Sequence, residues 1–582
     1  MRNLRVFWPQ NSRHNGTLIG WLHDNVVVIA TVVESESNID IHGLLEGHEK
    51  WLELKEGCRD TPVNLGRVHR SDEGFLSITF EDKALNGIKT HFVLYARPSL
   101  YYMQFYSLSP LQLDITIKAD EATSNIASGG RLVQDILLEP GLRQEQCCDL
   151  RCITRQMNAS AVVEAALNSS KQPPLPTSKP RAPSQAWKGT RQILRLALDS
   201  LFGICNLPLF IFDSTTRLKD VSATIQQFDV RLEQFSFFPS QVRLISTRSR
   251  KDIATYSAQY INFYNNVWLI FNDVVIGTAV GTALCENHQY LGQLLYTYTE
   301  LWTVRYVIDA LTWLDDWPVG LKLNTELSRA LHLSFMAMTN IWGYALNAIS
   351  GHLPLIIYLM GLSGSTGLTM ILSLSSDLLS LLTIHIYLSY LVATTACHRI
   401  LLTAGSLWNL FRGKRYNVLQ NRLDSWDYSL DQLLLGTMLF TLVAFLSPTI
   451  VVYYGLFAAA RLVTILMHAL SETILAVMNH FPLFVLMLRI KDSRRLPGGI
   501  HFRPTKRADI QNALLTVKSV PIAFSRIFFQ YLLLWGRLSS HYHPVRLIGH
   551  VATASFINPI PRYSIRYSML PVGSTSPKEK LE

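Results

Sequence analysis

This sequence predicts a polytopic α-helical membrane protein of four to six spans with an N-terminal β-rich cytosolic domain. Three observations carry that reading. Mean hydropathy is +0.17 with 16% charged residues among 582, too apolar for an ordinary soluble chain. The apolar residues are also segregated, alternating with polar ones before about residue 170 and forming long blocks after residue 253. Residues 407–454 then run from a basic, turn-rich loop holding Arg412, Lys414, Arg415 and Arg422 into an almost uncharged stretch long enough to cross a bilayer. Lys and Arg beside a span mark its cytoplasmic side, because translocating them is unfavourable. This loop is therefore expected against the anionic head groups of the cytosolic leaflet.

The formal net charge of +10 fits the same picture. Its cations cluster beside apolar blocks, in residues 412–422 and 489–507, and form no stripe with interleaved stacking aromatics, so nucleic acid is not an expected partner. Seven cysteines without C-x-x-C spacing indicate neither a disulfide framework nor a zinc site. Cys147, Cys148 and Cys152 are the one cluster, and reduced structural thiols suit a cytosol-facing domain. The first residues hold no continuous apolar h-region, so the first span is expected to act as the targeting signal.

Within residues 1–170, segments 18–33, 74–80 and 91–106 carry β-branched and aromatic residues in partial alternation, as strands do. Sequons at Asn15, Asn158 and Asn168 matter only on a lumenal domain, which is not expected. Residues 171–190 form a linker whose KQPPLPTSKPRAPS stretch cannot donate enough backbone hydrogen bonds for regular structure. A helical membrane domain follows over 191–510. In it, 191–212 is broken by Pro208 and reads as interfacial or re-entrant, while 267–284 is of span length but holds Asn272 and Asp273. Segments 333–362 and 367–396 read as spans hinged at Gly361, Gly364 and Gly367. Segments 432–457 and 461–490 read as a hairpin with a very short connection and both basic ends cytosolic. The last part, 511–582, holds an interfacial helix over 519–535, apolar but carrying Arg526, and a polar tail.

Two of these segments carry polar stripes at helical spacing. One comprises Thr369, Ser373, Ser376, Ser380, Thr383 and Tyr387; the other comprises Arg461, Thr464, His468, Ser471, Leu475 and Asn479, with Glu472 beside it. Small polar residues mark helix-packing faces in lipid, whether within one chain or between subunits. Asp377 and Glu472 are carboxylates inside otherwise apolar runs, costly to bury and so functional candidates. They read either as contacts to another helix, through His385, His468 or a partner subunit, or as the proton site of a secondary transporter or lipid-translocating protein. No internal inverted repeat supports the second reading.

No D-x-D, P-loop, G-x-S-x-G, H-E-x-x-H or G-x-G-x-x-G occurs. Glu73 and Glu81 have the E-x7-E spacing of some retaining glycosyltransferases, yet the intervening GFLSITF alternates like a strand. No catalytic residue, metal or cofactor is therefore expected in this chain. Residues 313–329 are the most chemically loaded stretch outside the spans, with Trp313, Asp315, Asp316, Trp317, Lys322 and Asn324. Adjacent aspartates on a helix point about 100° apart and do not make one site. Asn324 has the position of a helix N-cap, and the segment reads as an elbow at the membrane surface or as a head-group or partner contact.

The motifs WLDDWPVGLKLN (313–324), SDLLSLLTIHIY (376–387), LWNLFRGKRYNVLQNRLDSWDYSLDQLLLGTMLFTL (407–442) and NHFPLFVLMLRIKDSRRLPGGI (479–500) resemble subunit Q of phosphatidylinositol N-acetylglucosaminyltransferase, the PIG-Q family, with a fungal-type N-terminal extension. The resemblance covers residues 260–505. It implies an endoplasmic reticulum membrane complex that passes N-acetylglucosamine from its UDP donor to phosphatidylinositol on the cytosolic face, the first step of GPI-anchor synthesis. It also implies that catalysis belongs to a separate PIG-A-like subunit, that other small membrane subunits take part, and that this chain stabilises the assembly. The loop at Arg412–Arg422 would then touch lipid or the catalytic subunit.

Overall fold

The computed structural model describes residues 3–34, 41–99, 102–111, 150–169, 218–246, 253–504 and 513–556, with Ser200, Gly203 and Cys205, less short gaps at 13–14, 24, 47, 71–75, 84, 317–319, 321–322, 418–419 and 542. The Pro-rich linker, the 191–212 segment as a continuous element, Cys147, Cys148, Glu73, Trp317 and Lys322 lie outside the described residues.

The N-terminal part begins with strands β1 (Asn3–Pro9), β2 (Gly16–His23) and β3 (Val26–Val33). Helices α1 (Ile41–Glu46) and α2 (Glu49–Cys58) follow, then β4 (Val63–Arg70), β5 (Leu76–Phe80), β6 (Lys89–Tyr95) and α3 (Leu150–Ser169). Side chains alternate across a strand. Thus Phe7 joins the core under α1, α2 and α3, with Trp51, Ile153 and Met157, while its neighbours Val6 and Trp8 join the core of the opposite face. β3 lies between β1 and β2 and is buried on both faces, which is why it reads VVVIATVV without alternation. Beside it, burial pushes the Cys58 thiol up to about 12, and the Cys152 thiol donates to the Cys58 carbonyl oxygen at 3.6 Å. Cys58 therefore stays protonated at physiological pH.

The helical part runs through α4 (Ala223–Ser246), α5 (Ile253–Glu286), α6 (His288–Thr299), a π-helical turn at Glu300–Arg305 and α7 (Tyr306–Asp315). It continues with α8 (Thr325–Ser350), α9 (Leu353–Ser363), α10 (Leu368–Leu382) and α11 (Ile384–Phe411). The short hairpin β7 (Lys414–Asn417) and β8 (Arg422–Ser425) leads to α12 (Leu430–His480) and α13 (Leu483–Lys491). Among the described residues, α5 and α12 are long and apolar enough to cross a membrane. The count rises to four if α8 with residues 353–366, bent by 63°, and α10 with α11, bent by 51°, each make one crossing.

The expected hairpin over 432–490 is replaced by one helix. α12 is 51 residues long, about 76 Å. A Ser429–Gln432 capping box starts it, and Ala458, Ala459 and Ala460, the strongest helix formers, carry it through the position read as a turn. Arg461, expected at the start of the second arm, lies within α12 over the Tyr387 ring of α11 at 4.6 Å. The cations at 412–422 and at 489–503 therefore flank opposite ends of a single helix instead of sharing one end of a hairpin.

The chain then returns to the sheet. β9 (Pro497–Pro504) and β10 (Ala513–Pro521) pair antiparallel, and β10 runs parallel to β6, giving the order β5-β4-β2-β3-β1-β6-β10-β9. The helix expected from residue 519 starts later, as α14 (Phe524–Ile527), and continues as α15 (Phe529–His541) and α16 (Pro544–Ala552). Sheet and helical part share a core of Phe105 and Leu111 from the N-terminal part, Ile261 from α5, Val485 and Leu488 from α13, and Ile522.

Candidate functional site

The most concentrated buried polar chemistry joins α4, α5, α10 and α12. Asp273 on α5 accepts from the Thr369 backbone N–H at 3.1 Å and from its hydroxyl at 2.8 Å. Thr369 lies in the first turn of α10, whose free N–H groups favour a carboxylate. Arg231 on α4 pairs with Asp273 and also donates to Thr369 Oγ1 at 2.8 Å. The pair is nearly sealed from solvent, Arg231 being 6% exposed and Asp273 2%. Asp377 on α10 completes the circuit. It accepts from the backbone N–H groups of Ala223 and Thr224 at 2.8 and 3.0 Å, and from the hydroxyls of Ser222 and Thr224 at 2.6 and 2.7 Å. It therefore caps the start of α4 from another helix. Gln227, one turn on, donates to Thr369 Oγ1 at 3.0 Å and exchanges two hydrogen bonds with Asn479 of α12 at 2.9 and 2.8 Å. The result is a ring: α5 caps α10, α10 caps α4, and α4 returns an arginine to α5.

Sequence reasoning found Asp377 but not its partners, and it missed Arg231. Asp273 was read as an obstacle to a span. The available signal was that an acid inside an apolar block requires a cation or donors nearby, and 228–251 is the basic, aromatic segment that precedes it.

The two polar stripes face each other. Ser376 Oγ lies 3.3 Å from His468 Nδ1, Ser380 Oγ 3.4 Å from His468 Nε2, and Ser471 Oγ 3.4 Å from Ser376 Oγ. Ser373 and Thr383 are buried, with their hydroxyls returned to the carbonyls of Met370 and Leu379. Glu472 is half-buried on α12. His385 instead stacks on Trp342 at 5.0 Å and contacts the Thr303 carbonyl oxygen at 2.9 Å.

The elbow at 313–329 is anchored to α12. Asn324 caps α8 by accepting from the Leu327 N–H at 3.0 Å, and its own N–H donates to Thr449 Oγ1 at 3.1 Å. Ser328 donates to Asp315 at 3.0 Å and meets the Tyr453 hydroxyl at 3.0 Å. Asp315, Leu323, Thr325, Ser328 and Arg329 line a pocket of about 190 Å³, while Trp313 and Asp316 face outward. A more open groove of about 470 Å³ lies between α6 and α9, lined by His288, Gln289, Gln293, Pro354, Leu355 and Tyr358.

At the β7–β8 hairpin, the Arg415 guanidinium lies 5.0 Å from the Trp426 ring, and Arg422 pairs with Asp424 at 2.8 Å. Tyr416, Leu423 and Trp426 are exposed beside Arg412 and Lys414. Glu81 accepts from the Asn64 amide at 2.6 Å on the β4–β5 side of the sheet. No group of three or more His, Cys, Asp or Glu able to hold a metal occurs among the described residues.

A family model described as N-acetylglucosaminyl transferase component (Gpi1) matches residues 225–498, which contain the elbow, the hairpin and the ring apart from its donors Ser222, Ala223 and Thr224. The chain is 30% identical to the N-acetylglucosaminyl-phosphatidylinositol biosynthetic protein gpi1 of Schizosaccharomyces pombe, over 97% of this chain and 94% of that protein. It is likewise 30% identical to the phosphatidylinositol N-acetylglucosaminyltransferase subunit GPI1 of Saccharomyces cerevisiae, over 83% of this chain and 85% of that one. Subunit Q of the mouse enzyme is 32% identical over 53% of this chain and 52% of its own length. No solved structure matches. With a relative matched nearly end to end and the family model lying over the polar core, the chain belongs to the Gpi1 family of N-acetylglucosaminyl transferase components.

Proposed function

We propose that this chain is a non-catalytic, assembling subunit of the endoplasmic reticulum complex that transfers N-acetylglucosamine from UDP-N-acetylglucosamine to phosphatidylinositol. The observation that carries the reading is how the buried polar groups are used. Asp273, Arg231, Thr369, Asp377, Gln227 and Asn479 all hold helices of the same chain against one another. They build a rigid frame and leave no carboxylate in it aimed at a substrate. In this reading α5 and α12 cross the bilayer, and the sheet domain stands on the cytosolic side with the PIG-A-like catalytic subunit. Two facts support that side. The thiols of Cys58 and Cys152 are buried and not joined in a disulfide. Asn158 of the second sequon is buried, and its amide exchanges hydrogen bonds with the Tyr106 backbone at 2.8 and 2.9 Å, a site that has no room for a glycan. The exposed aromatics and cations of β7–β8 suit a lipid head-group layer.

The test is purification of the tagged chain in mild detergent with an assay for transfer to phosphatidylinositol. Activity that co-elutes with a separate glycosyltransferase polypeptide, and vanishes when that polypeptide is stripped away, is the expected result. Transfer by this chain alone overturns it.

A further inference from the structure

Away from the ring, cations and bare apolar side chains meet where α13 runs into β9. Between residues 489 and 526 the described residues hold seven Lys and Arg against one carboxylate, Asp492, which is already paired with Arg495 at 3.2 Å. Arg489 donates to the Ile522 carbonyl oxygen at 3.2 Å and lies 5.4 Å from the Phe524 ring. The end of α13 and the turn after β10 therefore form one surface. The strand register extends it: Lys518 lies opposite His501, and Val520 opposite Gly499. Lys518, Val520 and His501 thus share one exposed face, while Val517 of the other face sits in the core beneath α3. Ile490 is 85% exposed and Phe524 54% exposed, flanked by exposed Lys491, Arg494 and Arg526.

We propose that this surface docks on the anionic lipid leaflet. Lys491, Arg494, Lys518 and Arg526 would lie among the phosphates, with Ile490 and Phe524 in the acyl boundary. The charge is complementary to phosphate-bearing head groups, and the bare Ile490 at the tip of α13 suits hydrocarbon better than an acidic protein surface. The position agrees, since α13 directly follows α12. The proposal rests on α12 crossing the bilayer. It adds that the sheet domain is held flat on the membrane by its last two strands.

The test is hydrogen exchange of the full chain in nanodiscs of phosphatidylcholine alone or mixed with phosphatidylinositol. Residues 497–504 and 513–527 are expected to exchange more slowly in the mixed discs. The triple variant Lys491→Gln, Arg494→Gln, Lys518→Gln should weaken that charge-dependent contact roughly 100-fold and erase the difference. Lys518→Gln alone, about fivefold, serves if the triple variant does not insert. Amides of α5 and α12 report separately, being protected in both disc types if these helices cross. Equal exchange of 497–527 in the two discs, with α5 and α12 protected, overturns the docking and leaves the membrane reading intact. Protection that appears only when other subunits are added also overturns it, and assigns the surface to a protein.

Discussion

At the scale of single residues, the ring turns three charges into joints. Breaking a buried pair by removing one partner leaves an uncompensated charge, at a cost of about 3–5 kcal/mol, whereas replacing both by apolar groups is often near neutral. Arg231→Met and Asp273→Asn are therefore each expected to lower the heat resistance of the detergent-solubilised chain, read as the monodisperse fraction surviving a temperature ramp. Arg231→Met with Asp273→Leu should recover most of the loss. A double variant as weak as the sum of the two would show that the pair is not what joins α4 to α5. Asp377 makes a separate prediction. Asp377→Ala strands the N–H groups of Ala223 and Thr224, at about 1–3 kcal/mol, while Asp377→Asn keeps an acceptor and should cost less. A transporter site would order these variants otherwise. Flux would be lost in both, with the stability of Asp377→Asn untouched.

Among elements, the tightest joint is the crossing of α5 with α9 and the start of α10. A Cβ on Gly277 would lie 2.5 Å from the Gly364 carbonyl oxygen, and one on Gly361 would lie 2.5 Å from Cys285 Sγ. Backbone cannot yield as a flexible side chain can. Gly277→Ala is expected to separate these helices at a cost of about 1–3 kcal/mol. Gly455→Ala on α12, with nothing within 4 Å of the new methyl, should gain up to about 1 kcal/mol from helix propensity. The same melting assay reads both, and similar effects at the two sites would refute close packing at Gly277. This is also the scale at which the sequence was most uneven as a guide. The N-terminal strands were legible because alternation is local. Asn324 was legible as a cap because capping is local too. β9 and β10 were not, because what makes them strands is β6, some 400 residues earlier in the chain, and the cations of 489–507 read only as charge beside an apolar block. The continuity of α12 was hidden by giving Arg461 the weight of a boundary, when three alanines before it and an aromatic ring beside it let the helix pass. The ring was half legible. An acid in an apolar run announces itself, but the donor that answers it lies on another element.

For the whole molecule, the decisive feature is that α12 is a single helix of about 76 Å set against a hydrocarbon core of about 30 Å. A helix that crosses once must carry its two ends to opposite sides. The sheet is attached to its C-terminal end through α13 and β9, and the β7–β8 hairpin to its N-terminal end. Within 20 residues of the helix the two ends carry equal numbers of Lys and Arg, four in 410–429 and four in 481–500, so the cytosolic side proposed for the sheet rests on the buried Cys58, Cys152 and Asn158. If α12 crosses once and the sheet is cytosolic, as proposed, the hairpin faces the lumen, against the cytosolic side expected from Arg412, Lys414, Arg415 and Arg422. A glycosylation acceptor inserted in the turn between Asn417 and Asn421 is therefore expected to be modified when the chain is made in microsomes, and one placed before β1 is not. Modification at the N-terminal tag alone would invert the orientation. The absence of modification at both would mean that α12 does not cross as one helix, and the frame built by the ring would then have to lie on the membrane and not through it.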